Sequence, residues 1–266
     1  MKKIISSVQN KLIKSLVDLQ KSKVRKKSNL FGVEGAREIN MALKNHYSAH
    51  QFFYCSELLT EETQKILADL EKKKVETFEL SLACYHKIVV RKDSDGLYVL
   101  FYKKEEQTLQ QEKTPLYLVL DGIEKPGNLG AILRSCDACN LTQVFLTNPK
   151  VDLYSPHVIR ASLGACFSVS VKTVEVNDLS QFFNKSEVSV LLSYLDETAK
   201  PYYKEPLKNP TALVIGSEAQ GISDLWLEKK HKKIIIPMQG QVDSLNASVA
   251  TSILLFEAKR QREHKL

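Results

Sequence analysis

Leu116–Arg134, LYLVL followed by DGIEKPGNLGAILR, is the stretch whose reading decides the fold. Five apolar residues run into a turn rich in Gly, Pro and Asn, and an apolar helical pattern follows. Two later stretches share the plan. ALVI (212–215) runs into GSEAQGIS (216–223), and III (234–236) runs into PMQGQVDSLNAS (237–248). Short apolar runs of this kind, closed by turn residues, read as strands buried on both faces of a parallel sheet. Ligands bind at the carboxyl ends of such strands. The three ends are expected to converge on one site in an α/β fold.

The rest of the chain sets the frame. With 266 residues, 43% of them apolar, the protein can bury a sizeable core, and two domains are expected. Its formal charge of +7 is unevenly spread: residues 2–27 carry nine Lys and Arg against the single acid Asp18. A basic amino-terminal segment points to a polyanion, nucleic acid or an anionic membrane, or else to a solvated helix face. Ile4, Ile5, Val8, Leu12, Leu16 and Leu19 recur at helical spacing, which predicts an amphipathic helix over 3–20. Beyond it, helical patterns at Glu34–Leu43 and Glu61–Lys73 alternate with strands at Gln51–Tyr54, Glu76–Leu80 and Leu97–Tyr102. A small α/β domain is therefore expected over 1–105. The polar stretch 106–115 reads as a linker, and 116–266 as a second domain. That domain adds strands at Gln143–Leu146, Phe167–Val171 and Val188–Tyr194, and helices at Gly130–Cys139 and Ala247–Arg262.

Several function classes are excluded or disfavoured. No apolar stretch reaches the ~20 residues that cross a bilayer, and the basic start lacks the apolar centre of a signal peptide, so the cytoplasm is expected. Five cysteines, an odd number, fit a reducing compartment. Cys136-Asp-Ala-Cys139 has neither a second Cys pair nor a His at ligand spacing, so it reads as helix-borne thiols and no metal is expected. The first turn lacks the G-x-G-x-x-G spacing of a dinucleotide loop, and Thr147-Asn148-Pro149 stands where such a fold places an acid. None of the six histidines falls in a motif.

Taken together, the three turns resemble the motifs of the SpoU/TrmH family of RNA ribose 2′-O-methyltransferases, within the SPOUT superfamily. The residues that carry the likeness are Asn128-Leu-Gly130-Ala-Ile-Leu-Arg134, Gly216-Ser217-Glu218-Ala-Gln-Gly221, and Pro237-Met238 with Ser244-Leu245-Asn246-Ala-Ser248. Tyr154–Ala165 is similar to the segment that follows the family's first motif. Phe31-Gly-Val-Glu34-Gly35-Ala-Arg37 resembles the substrate-binding domain that often precedes the catalytic one. The resemblance implies a carboxyl-terminal parallel sheet with a deep trefoil knot, an L30e-like amino-terminal domain that holds RNA, S-adenosylmethionine in the knotted loops, and a homodimer through the catalytic domains.

It also implies roles for single residues. Ile215, Gly216, Ser217, Glu218, Gly221, Ile236, Met238, Ser244, Leu245 and Asn246 would form the cofactor site. There Gly216, Gly221 and Gly240 allow close backbone approach, and the apolar side chains serve as walls. Arg134, Asn128, Glu218, Ser244 and Asn246 would act on the substrate. Arg134, placed one turn past the first strand end, cannot serve as a base near neutrality, because a guanidinium deprotonates only above pH ~12. Holding the phosphate and the ribose oxygen, and stabilising developing alkoxide charge, is the role its chemistry suits. Asn128 and Asn246 could instead cap turns, and Ser248 the last helix. The expected reaction is methylation of a ribose 2′-hydroxyl in 23S-type ribosomal RNA. Transfer RNA, or RNA binding without catalysis, are the alternatives.

Overall fold

The computed structural model describes residues 3–91, 93–104 and 112–263. The first half of the chain forms β1 (Lys3–Ile5), α1 (Lys11–Asp18), α2 (Ser22–Lys27), β2 (Leu30–Glu34), α3 (Ala36–Lys44), β3 (Ala49–Tyr54), α4 (Glu61–Lys72), β4 (Glu76–Leu80), α5 (Leu82–Ile88) and β5 (Leu97–Tyr102). There follow β6 (Leu116–Asp121), α6 (Pro126–Ala138), β7 (Gln143–Thr147), α7 (Pro156–Ala161), β8 (Val171–Thr173), α8 (Val176–Lys185), β9 (Ser189–Ser193), β10 (Lys200–Pro201), β11 (Thr211–Gly216), α9 (Asp224–Leu227), β12 (Lys232–Ile235) and α10 (Ala247–Glu263). Residues 106–111 of the expected linker lie outside the described residues.

The chain divides into two compact units. One is Met1–Glu105 with Asp152–Ser168, and the other is Glu106–Val151 with Val169–Leu266. The second region expected over 116–266 therefore loses a segment to the first unit, and the reason is visible in the packing. Tyr154 stacks on Phe31 with ring centroids 4.4 Å apart, and Phe167 meets the Tyr47 ring edge-on at 5.0 Å. The Arg25 guanidinium donates to Asp152 at 2.7 Å and to the Leu19 carbonyl at 2.8 Å, with almost none of its surface in solvent. Aromatic burial and a desolvated ion pair outweigh proximity along the chain.

In the first unit a mixed five-stranded sheet has the order β1-β4-β3-β5-β2. Its amino-terminal end corrects the sequence reading. Lys3–Ile5 is not helical but pairs in parallel with Phe78–Leu80, burying Ile5 and leaving Ile4 exposed. The helix starts only at Lys11, because the Asn10 side chain accepts from the Leu12 amide at 2.8 Å and caps it there. Glu34 likewise closes β2 instead of opening a helix; the chain turns at Gly35 before α3.

The second unit is built on a seven-stranded sheet of order β10-β12-β9-β11-β6-β7-β8, and every pair in it is parallel. β6 and β7 are buried along their whole length and β11 along all but its last residue, as the unbroken apolar runs require. The strand expected over Phe167–Val171 is instead a 3-10 turn at Ala165–Phe167 and the edge strand β8. Helix α10 packs on α6, where the Ser135 and Ser252 hydroxyls meet at 2.7 Å. Cys136 and Cys139 are buried thiols, and burial pushes both upward in pKa. Among the described residues no helix is long and apolar enough to cross a membrane.

Candidate functional site

Because β12, β9, β11 and β6 are parallel neighbours, their carboxyl ends and the turns that follow lie along one edge of the sheet. A cavity of about 740 Å³ opens there. Ile215, Gly216, Ser217, Glu218 and Gly221 line it from the turn after β11. Ile236, Met238, Ser244 and Leu245 line it from the stretch after β12. Of the residues expected at the cofactor, only Asn246 stands off this lining. Tyr194 and Leu195, after β9, line the cavity too and were missed. Their signal was available: a strand flanked by two site-forming strands brings its own end to the same edge.

The turn after β11 is closed on itself. The Ser217 amide donates to the Gly221 carbonyl and the Gly221 amide to the Ser217 carbonyl, each at 3.0 Å, and the Gln220 amide donates to Ser217 Oγ at 3.1 Å. At Gly216 a Cβ would come within 2.1 Å of the Gly221 carbonyl carbon, so no side chain fits. Gly221 itself sits at φ +68°, in the left-handed region. Gly240 has neither constraint: nothing lies within 4 Å of where its Cβ would be, and its φ is not positive. The reading of Gly240 as a close-approach residue therefore finds no packing reason here.

The remaining residues fall into two groups. Asn246 Nδ2 donates to Asn128 Oδ1 at 3.1 Å, joining the turn before α10 to the first turn of α6. Asn246 Oδ1 also accepts from the Ser248 amide and hydroxyl, at 2.9 and 2.7 Å, so it caps α10. Ser248 is the partner in that cap rather than the cap itself. Asn128 Nδ2 is buried without a hydrogen-bond partner among the described residues. Glu218 and Ser244 are exposed at the cavity rim.

Arg134 is placed differently from expectation. It is the ninth residue of α6, about 12 Å of helical rise from the helix start rather than one turn. It is exposed, makes no hydrogen bond or ion pair with a described residue, and does not line the cavity. A guanidinium left free in solvent is available to a phosphodiester that arrives from outside.

A buried carboxylate beneath the site was also missed. Asp121, the last residue of β6, accepts from Thr147, Asn148 and the Ser223 amide. An acid ending a wholly apolar strand was the only hint in the sequence. Among the described residues no group of three or more His, Cys, Asp or Glu is arranged to hold a metal ion.

This architecture has close parallels. Residues 115–256 match the SpoU rRNA Methylase family, and residues 10–98 match the MRM3-like substrate binding domain. The chain is 27% identical over 257 residues to the 23S rRNA (guanosine(2553)-2′-O)-methyltransferase RlmP of Bacillus subtilis, covering 97% of this chain and 99% of that protein. A crystal structure of an RNA 2′-O ribose methyltransferase superposes with a TM-score of 0.85 at 36% identity, over 97% of this chain and 99% of that one. An AdoMet-bound rRNA methyltransferase from Sinorhizobium meliloti shares the fold, with a TM-score of 0.87 at 24% identity over 97% of each chain. With its site-forming turns, its parallel sheet and more than half its length matching, the chain belongs to the SpoU rRNA methylase family.

Proposed function

We propose that this chain methylates a ribose 2′-hydroxyl in 23S ribosomal RNA, with S-adenosylmethionine as methyl donor bound in the cavity along the carboxyl ends of β9, β11 and β12. It is an RNA ribose 2′-O-methyltransferase by family. The observation that carries the cofactor assignment is the self-closed turn Ser217–Gly221, which lines the cavity and packs so closely on Gly216 that no side chain fits there. The cavity is in the range that holds a nucleoside-sized ligand, and Ile215, Ile236 and Leu245 give it apolar walls.

When bound, S-adenosylmethionine supplies an electrophilic methyl group on a sulfonium, so the protein's task is to bind, orient and exclude water. In this reading the turn Ser217–Gly221, through the main-chain groups its internal bonds leave free, and the stretch Met238–Leu245, with its apolar walls, hold the adenosine. Glu218 and Ser244, at the rim, orient the ribose that enters. Arg134 engages the phosphate next to the target ribose and offsets the negative charge that builds on the 2′-oxygen. Its guanidinium stays protonated throughout, so the hydroxyl proton leaves to an acceptor other than Arg134. Asn128 and Asn246 act by holding α6 to the turn before α10, which fixes where Arg134 projects.

The wider setting follows the same reading. The exposed lysines of 3–27 and the substrate-binding domain hold ribosomal RNA. A homodimer through the catalytic units is supported by Val249 and Phe256, seven residues apart on α10 and 47% and 52% exposed. The trefoil knot is supported by the order of the sheet. The chain visits β9, leaves to the edge at β10, returns to β11 on the far side of β9, and crosses back to β12 before α10. The working compartment proposed is the cytoplasm.

Transfer of tritiated methyl from labelled S-adenosylmethionine to ribosomal RNA tests the reaction, and ribose-methylation mapping of 23S RNA from a deletion strain names the nucleotide. No label transfer to any RNA, or an unchanged ribosomal map beside an altered transfer RNA map, would overturn the substrate assignment. Replacing Lys11, Lys14, Lys23 and Lys26 by Gln should weaken RNA binding and flatten its salt dependence together, because each phosphate contact steepens that slope by about 0.7–0.9.

A further inference from the structure

Asp121 is 2% exposed, and the carboxylate is held by three hydrogen bonds. Oδ1 accepts from Thr147 Oγ1 at 2.9 Å and from Asn148 Nδ2 at 2.7 Å, both at the end of β7. Oδ2 accepts from the Ser223 amide at 2.8 Å, 102 residues further along the chain. No cation pairs with it among the described residues, so the three donors alone stabilise a charge withdrawn from water. Such an arrangement is costly unless every donor stays in place.

What Oδ2 holds is the downstream end of the Ser217–Gly221 turn. At the upstream end, Gly216 stands beside Asp121 in the β6–β11 register. Between these two points the hydrogen bonds among the described residues stay within the turn: the Ser217–Gly221 pair and the Gln220 amide to Ser217 Oγ. One residue therefore stands at both ends of the loop, beside Gly216 and bonded to Ser223, without itself lining the cavity. Sequence reading gave it no role, and the methyl-transfer chemistry makes no use of it.

We infer that Asp121 is a positioning residue for the cofactor: its carboxylate fixes the Ser217–Ser223 turn in the shape that receives the adenosine. This rests on the reading of the cavity as the S-adenosylmethionine site. An amide in its place offers one acceptor oxygen and two N–H donors, and cannot satisfy all three incoming donors in their present positions.

The experiment is calorimetric titration of S-adenosylmethionine into the full-length chain and its variants, with amide hydrogen exchange on the cofactor-free proteins. Asp121→Asn should raise the cofactor Kd by about tenfold or more, the cost of losing one charge-assisted hydrogen bond. kcat at saturating cofactor should change by no more than about threefold, because bound cofactor holds the turn, and Glu218 with it, in its wild-type shape. Ser223→Pro isolates the same bond. Ser223 already sits at φ −66° and ψ 154°, which proline adopts, and the substitution removes its N–H together with a buried Oγ that has no hydrogen-bond partner among the described residues. It should reproduce the Kd shift, and the double variant should be no worse than the poorer single one, the mark of one shared interaction. Thr147→Val, which removes only an Oδ1 donor, should leave Kd within about twofold. Faster exchange across 217–223 in the cofactor-free Asp121→Asn protein should accompany the loss.

A folded Asp121→Asn or Ser223→Pro variant with wild-type Kd would overturn the inference, as would strictly additive effects in the double variant. A loss that falls equally on kcat and on melting temperature, without the Kd split, would reduce Asp121 to a stability residue and overturn it too. Failure of the wild-type chain to bind S-adenosylmethionine is a separate result: it sinks the reading of the cavity, and this inference with it.

Discussion

Each of the two units has a cavity, and they are made in opposite ways. The one in the catalytic unit, about 740 Å³, is walled by aliphatic side chains and by main chain that glycine leaves open. The one in the amino-terminal unit, about 330 Å³, is crowded with ionisable groups, among them Glu34, Glu38, Arg91, Asp93 and Arg160. Burial pushes the Glu34 and Glu38 carboxyls upward in pKa, while Glu34 also accepts from the Val90 and Arg91 amides. At the edge of the catalytic sheet the balance reverses, and the Lys233 ammonium beside Asp196 holds that carboxyl well below the usual range. The lesson concerns where shape and where charge are set. A site that must grip a preformed cofactor is built from backbone and apolar walls, whereas charge is kept at its rim, on an exposed arginine, and in the other unit.

The largest effect expected is at Arg134. Its replacement by Ala should cut methyl transfer by a factor on the order of 10³, the scale of a lost transition-state charge contact, and leave cofactor affinity within about twofold. Wild-type turnover would remove Arg134 from the mechanism and leave chemistry and cofactor binding undivided.

Gly216→Val aims at the opposite side of that division. A branched side chain must displace Gly221 main chain that lies 2.1 Å from its Cβ, so calorimetry should detect no binding at cofactor concentrations that saturate the wild type. Retained affinity would show that backbone approach is not what makes the cavity.

Arg25→Ala should damage the amino-terminal unit only. It strands Asp152 without its partner at 2.7 Å and should cost about 3 kcal/mol in denaturant unfolding, while calorimetric cofactor affinity stays unchanged. A parallel loss of cofactor affinity would mean that the two units do not divide their labour as their cavities suggest.

The joint replacement of Cys136 and Cys139 by Ser is expected to cost about 1 kcal/mol per buried thiol and to leave methyl transfer intact. Zinc at one equivalent per purified chain, measured by plasma emission, would contradict the reading of these thiols as structural.

The smallest effect concerns pH. Glu34 binds its proton more tightly in the folded chain than at its ordinary value of 4.5. Its contribution to stability is therefore full below pH 4.5 and declines as pH rises through the raised value. Carboxyl carbon NMR should show Glu34 titrating above 4.5, and Glu34→Gln should flatten that part of the stability–pH curve. A midpoint at or below 4.5 would show that the two amide donors outweigh the desolvation.

Much of the site was legible because its logic is local. An apolar run too short for a helix, ending in Gly, Ser or Asn, announces the carboxyl end of a buried strand, and the turns at Gly216–Ser223 and Pro237–Ser248 do line one cavity. The amino-terminal error was also local in origin. Ile4, Ile5, Val8, Leu12, Leu16 and Leu19 fit a helical period, but the Asn10 cap separates a strand residue, Ile5, from helix residues that share its spacing.

By itself, the sequence determined the strands β6, β7, β9, β11 and β12, the two turns that line the cavity and the helices α6 and α10, since period, turn chemistry and apolar run length act over a few residues. Only the tertiary structure decided the rest. It set β9 between β11 and β12, so that Tyr194 and Leu195 join the cavity. It moved Asp152–Ser168 to the unit that could bury Tyr154 and pair Asp152. It brought Ser223 to Asp121 across 102 residues. The physical reason is common to all three: desolvating a ring or a charge is repaid by whichever surface can cover it, and nothing in the local pattern says how far along the chain that surface lies.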